Sequence, residues 1–193
     1  WWPATRKALA AALTLNSRLQ GRPRHLNQHK VFGFYAGLVL IVSAVTSLPI
    51  AFDSVKASLY PLTGSVKSPV PVAKGESGRV AGFDVVARSM GAWIPNARET
   101  YIPLPKNGVV AAYAIAADAP HTVARSYAWF DGATGQQLRA QPFAEAPLGF
   151  RVYYWMMALH LGAVGGWAWR AVLLFGALAV PFLAWTGLAS YLS

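Results

Sequence analysis

Two long runs without a charged side chain constrain this chain more than anything else in it. Residues 31–52 read VFGFYAGLVLIVSAVTSLPIAF, bounded by Lys30 and Asp53. Residues 171–193 read AVLLFGALAVPFLAWTGLASYLS, preceded by Arg170. About 20 apolar residues at 1.5 Å rise cross a hydrocarbon core, so each run is long enough to span. A core helix of a soluble domain is usually shorter and keeps a polar stripe. Pro49 and Pro181 are compatible with spanning helices, where neighbouring groups satisfy the freed carbonyl. Gly33 and Gly37 form a small-xxx-small pair that lets a second helix approach. Leu48-Pro49-Ile50 offers no small-residue cleavage site, which argues against a secretory signal.

Charge then gives orientation. Of 193 residues only 12% are charged, with 17 Lys and Arg against 7 Asp and Glu. Residues 1–30 hold Arg6, Lys7, Arg18, Arg22, Arg24 and Lys30 and no acid, which predicts a cytoplasmic segment by the positive-inside rule. Residues 53–151 are nearly balanced and long, and are expected outside the membrane, in the periplasm of a Gram-negative host. Residues 152–193 would form an interfacial approach and the return span, with Trp167 and Trp169 as anchors. The stretch ATRKALAAALTLNSRL reads as a basic amphipathic helix on the inner surface or as a solvated connector. Trp1-Trp2-Pro3 looks like the inner end of an earlier span, so the chain is expected to be part of a longer one. Most of the positive charge is thus topological, and a nucleic-acid partner is not expected.

The fold class expected is a membrane α-helical protein with an extracytoplasmic α+β domain. Residues 53–78, rich in Pro, Gly, Ser and Lys, read as an irregular linker. FDVVARSMGAW (83–93) fits an amphipathic helix. ETYIPLP and NGVVAAYAIAAD read as strands joined at Asn107-Gly108, a favoured tight-turn pair. SYAWFDGATGQQLRAQPF reads as strand, turn, strand around Asp131. One helix against three or four antiparallel strands follows.

With no cysteine there is no thiolate metal site, Cys nucleophile or disulfide framework. The phosphate-loop, Gly-x-Ser-x-Gly and His-Glu-x-x-His patterns are also missing from the sequence. Four histidines remain: His25, His29, His121 and His160. His29 stands just before the first span and His160 in the approach to the second. A histidine there is costly unless paired, and neutral imidazole is a common axial ligand of haem iron. The alternative for each is an interfacial side chain bonded to headgroups or a carbonyl. The two would lie at opposite ends of a core about 30 Å thick, so they cannot share one metal, and each would take its second ligand from elsewhere. His121, in DAPHTV, reads as a loop surface residue, and Asp131 as a turn former. Tyr153, Trp155, Trp167 and Trp169 read as anchors, or as the lining of an outer haem.

HLNQHKVFGFYAG, FDVVARSMGAWIPNARETYIPLP, AWFDGATGQQL and ALHLGAVGGWAWRAVLLFGALAVPFLAWTGLASYL together resemble the PepSY-associated transmembrane family of iron-regulated membrane proteins and ferric-siderophore reductases. The match includes a Thr-Gly near the end of the last span, and corresponds to the C-terminal half of a four-span member. The resemblance implies half of a four-helix haem-binding bundle and haem b, two per complete protein. It puts ligation on His29 and His160, with the Gly spacing favouring His29 over His25. It also implies a bacterial inner-membrane location, a ferric-siderophore or other ferric chelate as substrate, and a missing N-terminal half and membrane lipid as partners. The alternative function is a non-enzymatic PepSY-type subunit that binds or regulates a partner protein.

Overall fold

The computed structural model describes residues 5–73 and 82–192. Trp1-Trp2-Pro3 and the end of the expected linker lie outside the described residues. The chain divides into two compact units, residues 1–46 with 165–193, and residues 47–164.

The first unit is helical. α1 (Arg6–Ala12) opens on Thr5, whose side chain accepts from Ala8 N at 3.2 Å. It is shorter than the sequence pattern suggested. Thr14 bonds back to the Ala10 and Ala11 carbonyls, and Asn16 Oδ1 accepts from Arg18 N. Such local side-chain bonds compete with the helical ladder. Asn27 closes the turn by accepting from Asn16 N and donating to the Thr14 carbonyl. α2 (Gly21–Ala51) then runs unbroken through Lys30 and Pro49, starting ten residues before the apolar run. α6 is Gly166–Leu192, with Pro181 inside.

α2 and α6 pack antiparallel, as three contact levels show. Arg22 Nε donates to the Ser190 carbonyl, Phe32 meets Phe182 with centroids 4.7 Å apart, and Gly176 faces Val39. A Cβ on Gly176 would lie 2.8 Å from Val39 Cγ1. That is the close approach small residues permit between helices in lipid. Only 17% of the most apolar window of each helix is buried, whereas a soluble core helix would be buried for most of its length. Leu38, Ile41, Val45, Leu174, Leu178 and Leu188 are all exposed. Such surface is stable only against lipid or another apolar partner.

The second unit carries a four-stranded antiparallel meander: β1 (Glu99–Tyr101), β2 (Val109–Ile115), β3 (Ser126–Asp131) and β4 (Gln137–Gln141), in the order β1-β2-β3-β4. β1 is cut to three residues because Pro103 and Pro105 offer no ladder N–H. Asn107 and Gly108 take φ of 52° and 74°, as a two-residue hairpin turn requires. The period of two divides the sheet into two faces. Val110, Ala112, Ala114, Ala128 and Phe130 bury against Val86 and Met90 of α4 (Phe83–Trp93). On the other face Tyr127 meets Phe150 and Tyr154 of α5 (Leu148–His160).

Two helices here depart from the sequence reading. The first ten residues of the expected linker form α3 (Asp53–Leu62). Asp53 lies in its first turn, where a carboxylate complements the helix dipole, and Leu59 joins the cluster around Tyr153, Tyr154 and Phe143. Residues 63–73 are irregular, as expected. α5 does not run on into the last span. It closes at Leu161 and Gly162 (φ 67°), with Ala163 N bonded to the Ala158 carbonyl at 2.8 Å. This is the bond pattern of a glycine-terminated helix. The compact unit spans residues 47–164, taking in the last turn of α2 ahead of α3 and the whole of α5.

Candidate haem-binding histidine and its surroundings

His29 lies on α2, and its ring reaches α6. Nδ1 is 3.0 Å from the Leu183 carbonyl and 3.1 Å from Thr186 Oγ1. A carbonyl oxygen only accepts, so Nδ1 carries the proton. The Thr186 hydroxyl donates to the Phe182 carbonyl at 3.0 Å, which leaves its oxygen to accept from the same Nδ1–H. In a ring that carries one proton, the lone pair is then on Nε2. Metal-ligating histidines are oriented in this way, by a hydrogen bond from the other ring nitrogen to a carbonyl.

The space around the ring is kept by glycine. A Cβ on Gly187 would sit 3.3 Å from His29 Cε1, and one on Gly33 would meet Leu183 Cδ2 at 3.6 Å. His29, Gly33 and Gly37 recur every four residues, which places them along one side of α2. With Lys30, Phe34, Leu38 and Ile41 they line an open groove of about 510 Å³. Among the described residues nothing stands within 4 Å of where a Cβ on Gly37 would be. His25, one turn before His29, has a buried Nδ1 without a hydrogen-bond partner among the described residues.

His160 occupies the last turn of α5, in the sheet-bearing unit, half-buried and just before the Gly162 cap. His29 and His160 thus belong to different compact units. Among the described residues no group of three or more His, Asp or Glu side chains gathers as a metal cluster would.

The match to known families covers this whole arrangement. The family model for the PepSY-associated TM region fits residues 1–193, the full chain. The chain belongs to the PepSY-associated TM family. It is a membrane protein with two helices able to span and a small antiparallel sheet domain. No curated protein matches the sequence.

Other residues of the PepSY-associated TM chain fall differently from the sequence reading. His121 is not on the surface. It is 3% exposed, edge-on to Trp155 (4.6 Å) and Phe143 (5.4 Å). Both its ring nitrogens are buried without a partner among the described residues, and burial pushes its pKa below 6.5. An unsatisfied buried polar group costs about 1–3 kcal/mol, so a buried imidazole is a poor choice for filling space alone. Asp131 is a turn residue, its Oδ1 accepting from Ala133 N and Thr134 N at 2.9 and 3.0 Å. Tyr153 is buried, with the Lys56 ammonium 4.2 Å over its ring. Burial also raises the phenol of Tyr154, which stays a neutral partner for the Tyr127 hydroxyl 3.1 Å away. Trp167 is 82% exposed at the start of α6, as an anchor would be.

Sequence reasoning did not single out Leu183 and Thr186 as partners of His29. The only trace was the Thr186-Gly187 pair noted within the family pattern; a backbone carbonyl leaves no trace in a sequence.

Proposed function

We propose that this protein is a b-type haem electron carrier of the bacterial inner membrane, which reduces ferric iron held by a siderophore or similar chelate on the periplasmic side. One observation supports the reading above the others: His29 is held by Nδ1 on Leu183 and Thr186, with Nε2 left to ligate, beside a groove whose floor is glycine. The residues fit a haem. The oriented imidazole would supply a nitrogen ligand to the iron, and Gly33 and Gly37 would leave a helix side clear for a flat macrocycle. His160 is the proposed ligand of a second haem. Each site would take its other ligand from helices outside this chain, completing a four-helix bundle.

A bound haem supplies one-electron exchange at iron. The protein's own part is to hold and insulate. Leu183 and Thr186 fix the His29 tautomer and raise its basicity as a ligand. The apolar flanks of α2 and α6 exclude water. Hard oxygen donors suit the ferric ion better than the ferrous product, so reduction loosens the chelate without an acid or base from the protein. This agrees with spans that contain no acidic residue.

The test is a reduced-minus-oxidised visible spectrum of the full protein in detergent, with haem quantified as pyridine haemochrome. Wild type is expected to give a low-spin b-type signal. His29→Ala should remove the contribution of one haem. Thr186→Val, which keeps the shape and loses one acceptor, should lower haem retention roughly tenfold. A folded wild-type sample free of haem would sink the reading and favour a membrane-anchored domain that binds a partner protein.

A further inference from the structure

A second candidate site lies wholly within the sheet-bearing unit, in a cavity of about 560 Å³ that none of the residues assigned above lines, Trp155 excepted. Its size falls within the roughly 300–1,000 Å³ of small-molecule sites. Trp93, Phe143 and Trp155 supply aromatic walls. Two side-chain donors stand between them, Arg151 and Ser126. Arg151 lines the cavity, and its Nε is buried with no partner among the described residues. Ser126 also lines it; its oxygen accepts from Phe143 N at 3.0 Å, which leaves the hydroxyl proton to donate. The one carboxylate at the cavity, Asp118, is exposed at its rim and makes no ion pair with Arg151. Behind the walls, both nitrogens of His121 are unpartnered among the described residues.

Donors gathered among aromatic rings select for an anion with a flat apolar body. The guanidinium fork matches a carboxylate in two parallel bonds. Aromatic walls favour an aromatic ring. Asp118 at the mouth disfavours a doubly charged anion, and Arg151 inside disfavours a cation. We propose that this cavity binds a small aromatic monocarboxylate, its head group on Arg151 and Ser126 and its ring among Trp93, Phe143 and Trp155. The site is independent of haem binding.

The proposal is tested on the full chain in detergent, by equilibrium dialysis with radiolabelled 3-phenylpropionate. Its amide and 2-phenylethylamine serve as competitors with a similar body and a neutral or positive head. Saturable 1:1 binding of the acid is expected, with the amide roughly tenfold weaker and the amine not competing. Arg151→Gln should reduce the acid to the level of the amide. Arg151→Lys, which keeps the charge but not the fork, should fall between, and it carries the test if the Gln variant fails to fold. Uptake of the acid that never saturates at millimolar concentration would overturn the proposal. So would equal binding of acid and amide, or a folded Arg151→Gln protein that binds the acid as wild type does.

Discussion

Two histidines of this chain differ chemically. His29 has Nδ1 committed to Leu183 and Thr186. His121 has neither nitrogen bonded among the described residues and lies edge-on to Trp155 and Phe143. That burial makes a prediction about pH. The folded protein holds His121 neutral below its ordinary 6.5, while the unfolded chain takes up a proton near that value. The unfolded state therefore binds more protons as pH falls below about 6.5, and folding stability drops in that direction. The contribution is fully present above 6.5 and is lost as pH falls through the lowered value. Thermal melts of the full protein followed through the sheet-bearing unit should show Tm falling from pH 7.5 to 5, with a shallower fall in His121→Leu. Equal slopes in the two proteins would contradict the burial of a neutral imidazole. The sequence placed His121 in a polar loop because its neighbours are polar. Burial comes from residues 22 and 34 positions further along the chain, which no local pattern can report.

Among the elements, the readable ones are those whose signals are local. Asn107-Gly108 and Asp131 to Gly135 are turns by their own chemistry, and α4 shows its apolar side in its own spacing. α3 was hidden because its two serines and Pro61 weaken the helical preference of the segment, and its partner is α5. The meeting point is Gly149. A Cβ there would lie 2.9 Å from Tyr60 Cα and 3.0 Å from the Leu59 carbonyl carbon and oxygen. Those are backbone atoms and cannot rotate away. Gly149→Ala should therefore destabilise the sheet-bearing unit by about 1–3 kcal/mol. Near-UV circular dichroism during denaturation would measure it, and an unchanged midpoint would mean that α3 and α5 are not packed this closely. The end of α5 was equally unreadable from charge, since residues 152–169 carry no Lys, Arg, Asp or Glu. The positive φ of Gly162 and the capping bond to Ala158 decide it.

For the whole molecule, the open question with a direct answer is orientation. The basic N-terminal segment predicts that α1 and the start of α2 face the cytoplasm and that the sheet domain faces outside. The chain has no native cysteine, so single cysteines report without background. Ser17→Cys and Thr122→Cys both place the thiol at an exposed position. A membrane-impermeant maleimide applied to spheroplasts should label Thr122→Cys and spare Ser17→Cys until the membrane is broken. The opposite pattern would invert the topology and put the proposed reduction on the wrong side.

Hydropathy along the chain determined that this is a membrane protein with two helices able to span, because it acts through the solvent each residue meets and needs no partner. Strand pairing across short turns was determined as well, since a turn residue sets its own backbone angles. Only the tertiary structure decided where the compact units divide, that His121 is buried, and which groups face His29. Each of these depends on residues far apart in sequence; Leu183 and Thr186 lie more than 150 positions from His29. The ring's orientation follows from the Leu183 backbone carbonyl, a group that every residue carries and that no sequence pattern marks.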